Sequence, residues 1–226
     1  MKIILGVTGS VAAIKTYRLY NALIELGDVR CVLTDKGKYF VVKAKDFLKS
    51  DRSVSEPFTK SWVEDTDEWM WNKIGDLIPH IDLRDWADCL VIAPLSANTM
   101  AKMAYGICDN LITSIYRAWP ENKNIIVAPA MNTQMWENPI TREHLYLLNK
   151  RHLLLTKLEY EEYKQECVTP PNNYTRLSRG LVSYVKEIRR LHIVQPVKSK
   201  LACGTEGIGA MAPLKAIVEA VKNYGC

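Results

Sequence analysis

The chain has 226 residues, of which 48% are hydrophobic and 24% are charged, a composition that is ordinary for one globular domain of moderate size. The formal net charge of +5 is mild and the basic residues are scattered, so nucleic acid is not indicated as a partner. No uninterrupted apolar stretch is long enough to span a bilayer. The six cysteines form no Cys-x-x-Cys pair, which argues against a disulfide framework or a zinc site and predicts a cytoplasmic protein.

Apolar runs and amphipathic runs alternate along the chain. Strands are predicted at residues 2–7, 29–34, 89–93 and 125–128, where β-branched residues are bounded by glycine or proline. Apolar residues at helical spacing predict helices over 11–26, around 39–47, over 98–105 and over 111–119. The pattern fails between residues 49 and 79. The alternation predicts a doubly wound α/β fold, in which helices cover both faces of a parallel sheet.

We expect the whole chain, residues 1–226, to form a single domain with an insertion at about 158–196. That segment is rich in Glu, Tyr, Lys and Arg and contains Pro170-Pro171. Four apolar residues at helical spacing predict a helix in this segment that packs on the outside of the core or on a neighbouring subunit. These residues are Leu181, Val185, Ile188 and Leu191.

Two predicted strands end in turns that suit a phosphate group. Gly6-Val7-Thr8-Gly9-Ser10 follows the first strand, where glycine and the free amides of a helix start can seat an anion. This turn lacks the third glycine of the dinucleotide fingerprint, and the second strand ends at Thr34 instead of an acidic residue. Ser96 and Thr99 mark another helix start. Each start also fits an ordinary N-capped helix, but two in one chain favour a mononucleotide.

Residues 129–136 follow the last predicted strand, and within them Asn132 is flanked by Met131 and Met135. In open α/β sheets, ligands bind in the crevice outside the carboxyl ends of the strands. An amide flanked by apolar side chains there indicates recognition of a polar group beside a flat or apolar one. A proline-bounded loop with a core methionine and tryptophan explains this segment equally well when it is taken alone.

Six segments, in the right order, resemble one known enzyme family. They are residues 6–15, His80 ahead of Ile-Asp-Leu-Arg, and residues 93–99, 106–111, 128–136 and 202–212. Together they are similar to the flavin-containing cysteine decarboxylase family, and within it to the phosphopantothenoylcysteine decarboxylases. The resemblance covers nearly all of the chain outside 158–196.

The resemblance implies a Rossmann-like subunit that forms a homotrimer, with FMN and the active site at a subunit interface. The implied activity is the FMN-dependent decarboxylation of 4'-phosphopantothenoylcysteine to 4'-phosphopantetheine in coenzyme A biosynthesis, a carboxy-lyase reaction. The implied FMN contacts are Gly9, Ser10, Val11, Thr34, Phe40, Ser96, Ala97, Asn98, Thr99 and Ala130. The implied substrate contacts are Asn132, Met135, Ala202 and Gly204.

The resemblance also implies that His80, Asn132 and Cys203 carry the chemistry. A carboxylate leaves only if its electrons have a sink, which the family's flavin creates by oxidising the thiol-bearing carbon of the substrate to a thioaldehyde. His80 is the implied base, since imidazole exchanges protons readily near neutral pH. Asn132 is implied to orient the substrate carboxylate without a full countercharge. Cys203, on a glycine-rich flap, is implied to donate the proton that returns the enethiol to a thiol.

Thr205 and Pro213 depart from the family pattern, which has acidic residues at both positions, and both departures bear on flap closure and substrate affinity. Two alternatives stay open. A related flavoenzyme, either a peptide cysteine decarboxylase or a flavin prenyltransferase, is disfavoured by the combination of His80, Asn132 and Cys203. A noncatalytic or partly catalytic regulatory subunit of a mixed trimer is disfavoured because the chain has no long acidic tail and keeps all three residues.

Overall fold

A computed structural model describes residues 1–47, 61–151, 190–202 and 204–225 of the protein. Within these residues, six strands form one parallel sheet: β1 (Lys2–Val7), β2 (Asp28–Leu33), β3 (Trp62–Glu64), β4 (Cys89–Leu95), β5 (Asn124–Pro129) and β6 (Leu191–Ile193). They lie in the order β3-β2-β1-β4-β5-β6. A separate antiparallel hairpin consists of β7 (Val197–Lys200) and β8 (Glu206–Ala210).

Helices connect the strands. They are α1 (Thr16–Ile24), α2 (Asp35–Phe47), α3 (Pro79–Trp86), α4 (Ala97–Tyr105), α5 (Leu111–Arg117), α6 (Thr133–Glu137), α7 (Pro139–Arg151) and α8 (Leu214–Tyr224). Among the described residues, two short 3-10 helices cover Val11–Lys15 and Asp65–Trp69. Every helix within the described residues is too short or too polar to span a bilayer.

The core has two halves, one on each face of the sheet, because successive side chains of a strand point to opposite faces. In β1, Ile3 belongs to the half that contains Leu19 of α1 and Ile217 of α8. Ile4, the next residue, belongs to the half that contains Leu83 of α3 and Met100 of α4. The presence of helices on both faces of a parallel sheet confirms the predicted doubly wound α/β class.

The direction of winding reverses between β1 and β4. From β1 the chain proceeds to β2 and β3 on one side, and from β4 it proceeds to β5 and β6 on the other. The connections that leave the carboxyl ends of β1 and β4 therefore diverge to opposite sides and leave a crevice between them, which is where open α/β sheets bind ligands.

The edge strand β3 lies in the stretch where the sequence pattern failed. Trp62 pairs with Cys31 of β2, and Glu64 pairs with Leu33. A strand of three partly buried residues is too short to display a recognisable alternation of polar and apolar side chains.

The strand β6 corrects one prediction at the end of the expected insertion. Leu191, expected as the last apolar position of an outer helix, pairs with Ile125 of β5 and is 3% exposed. A run of apolar residues at that point fits a buried strand as well as a helix, and pairing with β5 decides for the strand. The other positions of the expected helix, Leu181, Val185 and Ile188, lie outside the described residues.

Candidate active site

The buried side chain of Thr8 joins the carboxyl ends of β1 and β4 at the reversal point. Its Oγ1 donates a hydrogen bond to the carbonyl oxygen of Pro94 over 2.7 Å and accepts one from the N–H of Ser96, also over 2.7 Å. Thr8 has no exposed surface. Because these bonds fix the two strand ends relative to each other, the helix starts that follow them are held side by side.

Serine caps both of those helix starts. The Oγ of Ser10 accepts from the N–H of Ala12 over 3.4 Å, and the Oγ of Ser96 accepts from the N–H of Thr99 over 3.3 Å. The amides at the first positions of a helix have no partner within the helix and carry a partial positive charge. The structure thus brings two of the predicted segments, 9–11 and 96–99, together as a cradle of donors that fits the phosphate of FMN.

Gly9 and Thr34 serve the packing of α2 as well. A Cβ on Gly9 would lie 2.6 Å from the Cβ of Lys36, so the close approach of α2 requires glycine there. Thr34 Oγ1 accepts from the N–H of Gly37 over 3.1 Å and so caps α2. Phe40, on the same helix, packs partly buried against the core. All three predicted FMN contacts therefore lie on the β1–β2 side of the crevice.

Asn132 stands where the loop after β5 enters α6. Its Oδ1 accepts from the N–H of Gln134 over 2.9 Å, which orients the carboxamide, and the two amide protons are carried by Nδ2. Ala130 lies just before it, is 3% exposed and donates its N–H to the carbonyl oxygen of Leu95 over 3.0 Å. The predicted substrate residue Met135 is on α6 and is 49% exposed. The structure thus links the Asn132 loop to the end of β4.

The β7–β8 hairpin packs directly on this loop. The N–H of Met131 donates to the carbonyl oxygen of Gly209 over 2.9 Å. A side chain on Gly207 would overlap Thr133, and one on Gly209 would overlap the carbonyl oxygen of Met131. The hairpin that carries the predicted flap is therefore brought to Asn132 by two glycines that permit close contact.

The tip of the hairpin carries the remaining predicted flap residues. Ala202 is exposed, and Gly204 has a φ of +87°, a conformation that favours glycine. Cys203, between them, lies outside the described residues. Pro213, one of the two departures from the family pattern, stands at the N-cap of α8 and makes no side-chain capping hydrogen bond. An acidic residue there would cap α8, so this departure concerns the start of a helix.

His80 is the second residue of α3 and pairs with Glu68 of the Asp65–Trp69 helix. The imidazole Nδ1 contacts Glu68 Oε1, and the backbone N–H of His80 donates to Glu68 Oε2 over 3.1 Å. The side chains of His80 and Glu68 are 27% and 10% exposed. The described contacts of His80 thus lie on the β3 side of the sheet, whereas Asn132 follows β5, and their meeting across a subunit interface stays a prediction.

Sequence reasoning missed Thr8 and Glu68. Thr8 had a signal, since it is the polar residue between the first strand and the glycine turn. Glu68 had none, because it lies in the stretch without a pattern and its contact with His80 spans twelve residues.

A separate cavity of about 500 Å³ lies at the opposite, amino edge of the sheet. Its lining includes Asp28 and Arg30 at the start of β2, and the guanidinium carbon of Arg30 lies 4.2 Å from the ring centroid of Trp86. None of the predicted site residues that the structure describes lines it. The carboxyl edge is the candidate active site, because the capped helix starts, the Asn132 loop and the hairpin meet there.

Comparison with known proteins shows the family of the chain. The flavoprotein family model matches residues 1–170. A phosphopantothenoylcysteine decarboxylase of Arabidopsis thaliana is 39% identical over 224 residues, which cover 99% of this chain and 84% of that protein.

Solved structures agree over the whole chain. A PPC decarboxylase mutant complexed with pantothenoylaminoethenethiol has a TM-score of 0.71 and 36% identity, and the match covers 99% of this chain and 97% of the other. An FMN binding protein has a TM-score of 0.66 and 37% identity, and the match covers 99% of this chain and 95% of the other. These matches confirm the family and the fold class expected from the sequence motifs. The chain belongs to the flavoprotein family and, within it, to the phosphopantothenoylcysteine decarboxylases.

Proposed function

We propose that the protein catalyses the FMN-dependent decarboxylation of 4'-phosphopantothenoylcysteine to 4'-phosphopantetheine in coenzyme A biosynthesis. The substrate and the reaction type are proposed from membership of the decarboxylase family. The structural observation behind the proposal is the pair of capped helix starts that Thr8 holds together beside the Asn132 loop. FMN is the cofactor, in agreement with the family match and the similar FMN binding protein.

The cofactor-binding residues divide by chemistry. Ser10, Ser96 and Thr99 offer hydroxyl groups, and the amides of Val11, Ala97 and Asn98 offer helix-start donors, so this group would hold the phosphate. Phe40 and Ala130 supply apolar contact for the flat ring. Bound FMN supplies an oxidation of the thiol-bearing carbon, which makes loss of carbon dioxide easy, and afterwards the matching reduction.

Asn132 is the proposed binding group for the substrate carboxylate. With Oδ1 accepting from the N–H of Gln134, the carboxamide is fixed so that Nδ2 is its donating end. A neutral donor orients the scissile bond without the strong ground-state stabilisation that a cationic side chain would give. Met135 on the next turn supplies apolar contact beside it.

His80 and Cys203 are the proposed proton carriers. His80 takes a proton from the substrate during oxidation, and Cys203 gives one back when the enethiol is reduced to the thiol. Ala202 and Gly204 flank that cysteine at the tip of a hairpin whose other end is tied to Met131. In support, a similar solved mutant with cysteine replaced by serine holds pantothenoylaminoethenethiol, which is an enethiol.

We also propose a homotrimer with the site at the subunit interface. The segment from Trp69 to Ile78 displays large apolar side chains to solvent; Trp69 is 77% exposed and Ile74 is 95% exposed. Exposed apolar side chains concentrated in one segment are typical of a protein interface. Because this segment leads directly into His80, its burial against a second copy would carry His80 into that copy's site. A sedimentation mass of three chains is the expected result, and a monomeric active enzyme would contradict it.

The cytoplasm is the proposed location. The six cysteines of the sequence include no Cys-x-x-Cys pair, and Cys108 is an exposed free thiol, as expected in a reducing compartment.

Two variants test the proposed roles. Cys203→Ser should release carbon dioxide from 4'-phosphopantothenoylcysteine but form no phosphopantetheine, because the final protonation is missing. His80→Asn should retain bound FMN and lose turnover by about 100-fold or more. Exposed Cys108→Ser serves as the control for cysteine loss and should give normal product. Normal product from Cys203→Ser, or normal turnover of His80→Asn, would contradict the assigned role.

A further inference from the structure

The contacts of Glu68 with His80 are made through both of its carboxylate oxygens. Oε1 contacts the imidazole Nδ1, and Oε2 accepts from the backbone N–H of His80 over 3.1 Å. The Glu68 side chain is 10% exposed, so water competes little for these positions. One carboxylate thus contacts both the imidazole ring and the backbone N–H of His80, which limits rotation of the ring.

The neighbouring carboxylates of the same 3-10 helix have other partners. Asp65 Oδ1 accepts from the N–H of Leu111 at the start of α5 over 3.0 Å, and Asp67 Oδ2 accepts from the N–H of Glu64 over 2.7 Å. The Glu64 side chain in turn accepts from the backbone at Asp67, which completes a capping box. These bonds tie the helix to α5 and to β3, so the carboxylate of Glu68 is presented from an anchored element.

We propose that Glu68 is a positioning residue that fixes the tautomer of His80, with Nδ1 protonated and Nε2 as the atom that receives the substrate's proton. A carboxylate accepts hydrogen bonds only, so the ring nitrogen facing it must carry the hydrogen. In a neutral imidazole the other nitrogen then holds the lone pair. The proposal rests on the proposed function for the identity of the proton donor, but the tautomer is a property of the chain itself.

The chemical consequence is that the base is ready before substrate arrives. A histidine in water rotates freely and exchanges between its two neutral tautomers, whereas the partly buried carboxylate of Glu68 holds the ring in one orientation and one tautomer. Removal of Glu68 should therefore slow the proton transfer without changing how the substrate phosphate or carboxylate is bound.

The test is ¹⁵N nuclear magnetic resonance of the histidine side chains in the FMN-loaded protein at alkaline pH, where neutral rings are observed. The chain has only four histidines, so the signals of His80 are assigned by their loss in His80→Gln. In the wild type, Nδ1 of His80 should be protonated and Nε2 should be bare. In Glu68→Ala the ring should shift towards the other tautomer, and kcat should fall by about tenfold or more with KM changed less than about threefold.

The control is Asp67→Asn, which removes a negative charge from the same helix and keeps an oxygen that can accept from Glu64. It should leave the tautomer of His80 as in the wild type. A bare Nδ1 in the wild type, or the same tautomer in Glu68→Ala as in the wild type, would overturn the proposal. An equal loss of kcat in both variants would also overturn it, because the role of Glu68 would then be structural. If the tautomer responds as expected but the protein has no activity on 4'-phosphopantothenoylcysteine, the proposed function fails and the assignment of Glu68 stands.

Discussion

Among single residues, Thr8 has a hydroxyl that links the ends of β1 and β4 through two buried hydrogen bonds. Thr8→Val keeps the shape of the side chain and removes the acceptor for the buried N–H of Ser96, while Pro94 keeps a bond from the backbone N–H of Thr8. One orphaned donor should lower the free energy of unfolding by about 1–3 kcal/mol. Since Ser96 begins the phosphate cradle, FMN affinity should fall as well. Chemical denaturation and FMN titration measure the two effects.

Thr16→Val is the matched control. Thr16 is 1% exposed, and its Oγ1 makes no hydrogen bond with the described residues. The same chemical change should there leave stability unchanged or raise it slightly, since no bond is lost. Equal losses in Thr8→Val and Thr16→Val would show that the bridge between β1 and β4 contributes nothing.

The sequence predicted hydrogen bonds that a residue makes within its own helix turn. It did not predict contacts between residues that are distant along the chain. Ser10 and Ser96 could be identified as caps because a cap bonds within its own helix turn. Glu68 could not, because its contact with His80 depends on how the chain folds between them. The role of Cys203 at the flap stays a prediction.

At the scale of elements, the hairpin is held on the Asn132 loop by Gly209. Gly209→Ala combines an unfavourable backbone, φ +129°, with overlap of the new Cβ and the carbonyl oxygen of Met131. Backbone strain costs about 1–3 kcal/mol, and a side chain forced into a packed contact costs about as much again. The variant should be less stable and should raise KM for the substrate, because the flap no longer seats beside Asn132.

Gly75→Ala isolates the contact from the strain. Gly75 has a φ of +99° and no described atom of the same chain within 4 Å of an added Cβ, so within one chain only the backbone cost applies. Gly75→Ala should therefore destabilise the single chain less than Gly209→Ala does. If the two variants lose stability equally, Gly209 contributes backbone conformation alone and the contact between the hairpin and Met131 adds nothing.

The start of α5 should make stability depend on pH through Asp65. Burial raises the pKa of Asp65, hydrogen bonding from the Leu111 N–H lowers it, and repulsion from Asp35 and Asp109 raises it further. The folded protein therefore holds this proton more tightly than the unfolded chain. The stabilisation is complete below the ordinary value of 3.8 and is lost as the pH rises through the folded pKa.

Asp65→Asn keeps a side-chain oxygen that can accept from the N–H of Leu111 and removes the carboxyl group that titrates. Measured by denaturation, its unfolding free energy relative to the wild type should increase as the pH rises above 3.8. Exposed Asp85→Asn should show the opposite slope, because the hydrogen bond from Arg84 lowers the pKa of Asp85. A pH-independent difference for Asp65→Asn would contradict the assigned burial.

Among the strands of the parallel sheet, the long ones were predictable from the sequence and the short ones were not. The strands β1, β4 and β5 have six or seven mostly buried residues each, enough for a continuous apolar run to stand out. β3 and β6 have three residues each, and their identity comes from pairing with β2 and β5. Leu191 was assigned to a helix for that reason.

At the scale of the whole molecule, the reversal between β1 and β4 determines where the site lies. The alternation of strands and helices predicts the class of fold, but strand order depends on contacts between distant parts of the chain. The exposed apolar segment that leads to His80 is the feature that a single chain leaves unexplained, since such a surface is costly in water. A trimer that buries it would complete the site with a residue from a second copy.

Mass spectrometry of the products tests the proposed decarboxylation, with the purified, FMN-loaded protein incubated with 4'-phosphopantothenoylcysteine. We expect a product lighter than the substrate by one carbon dioxide, with the mass of 4'-phosphopantetheine. Recovery of the substrate unchanged from a protein that has FMN bound would show that the protein does not catalyse this reaction.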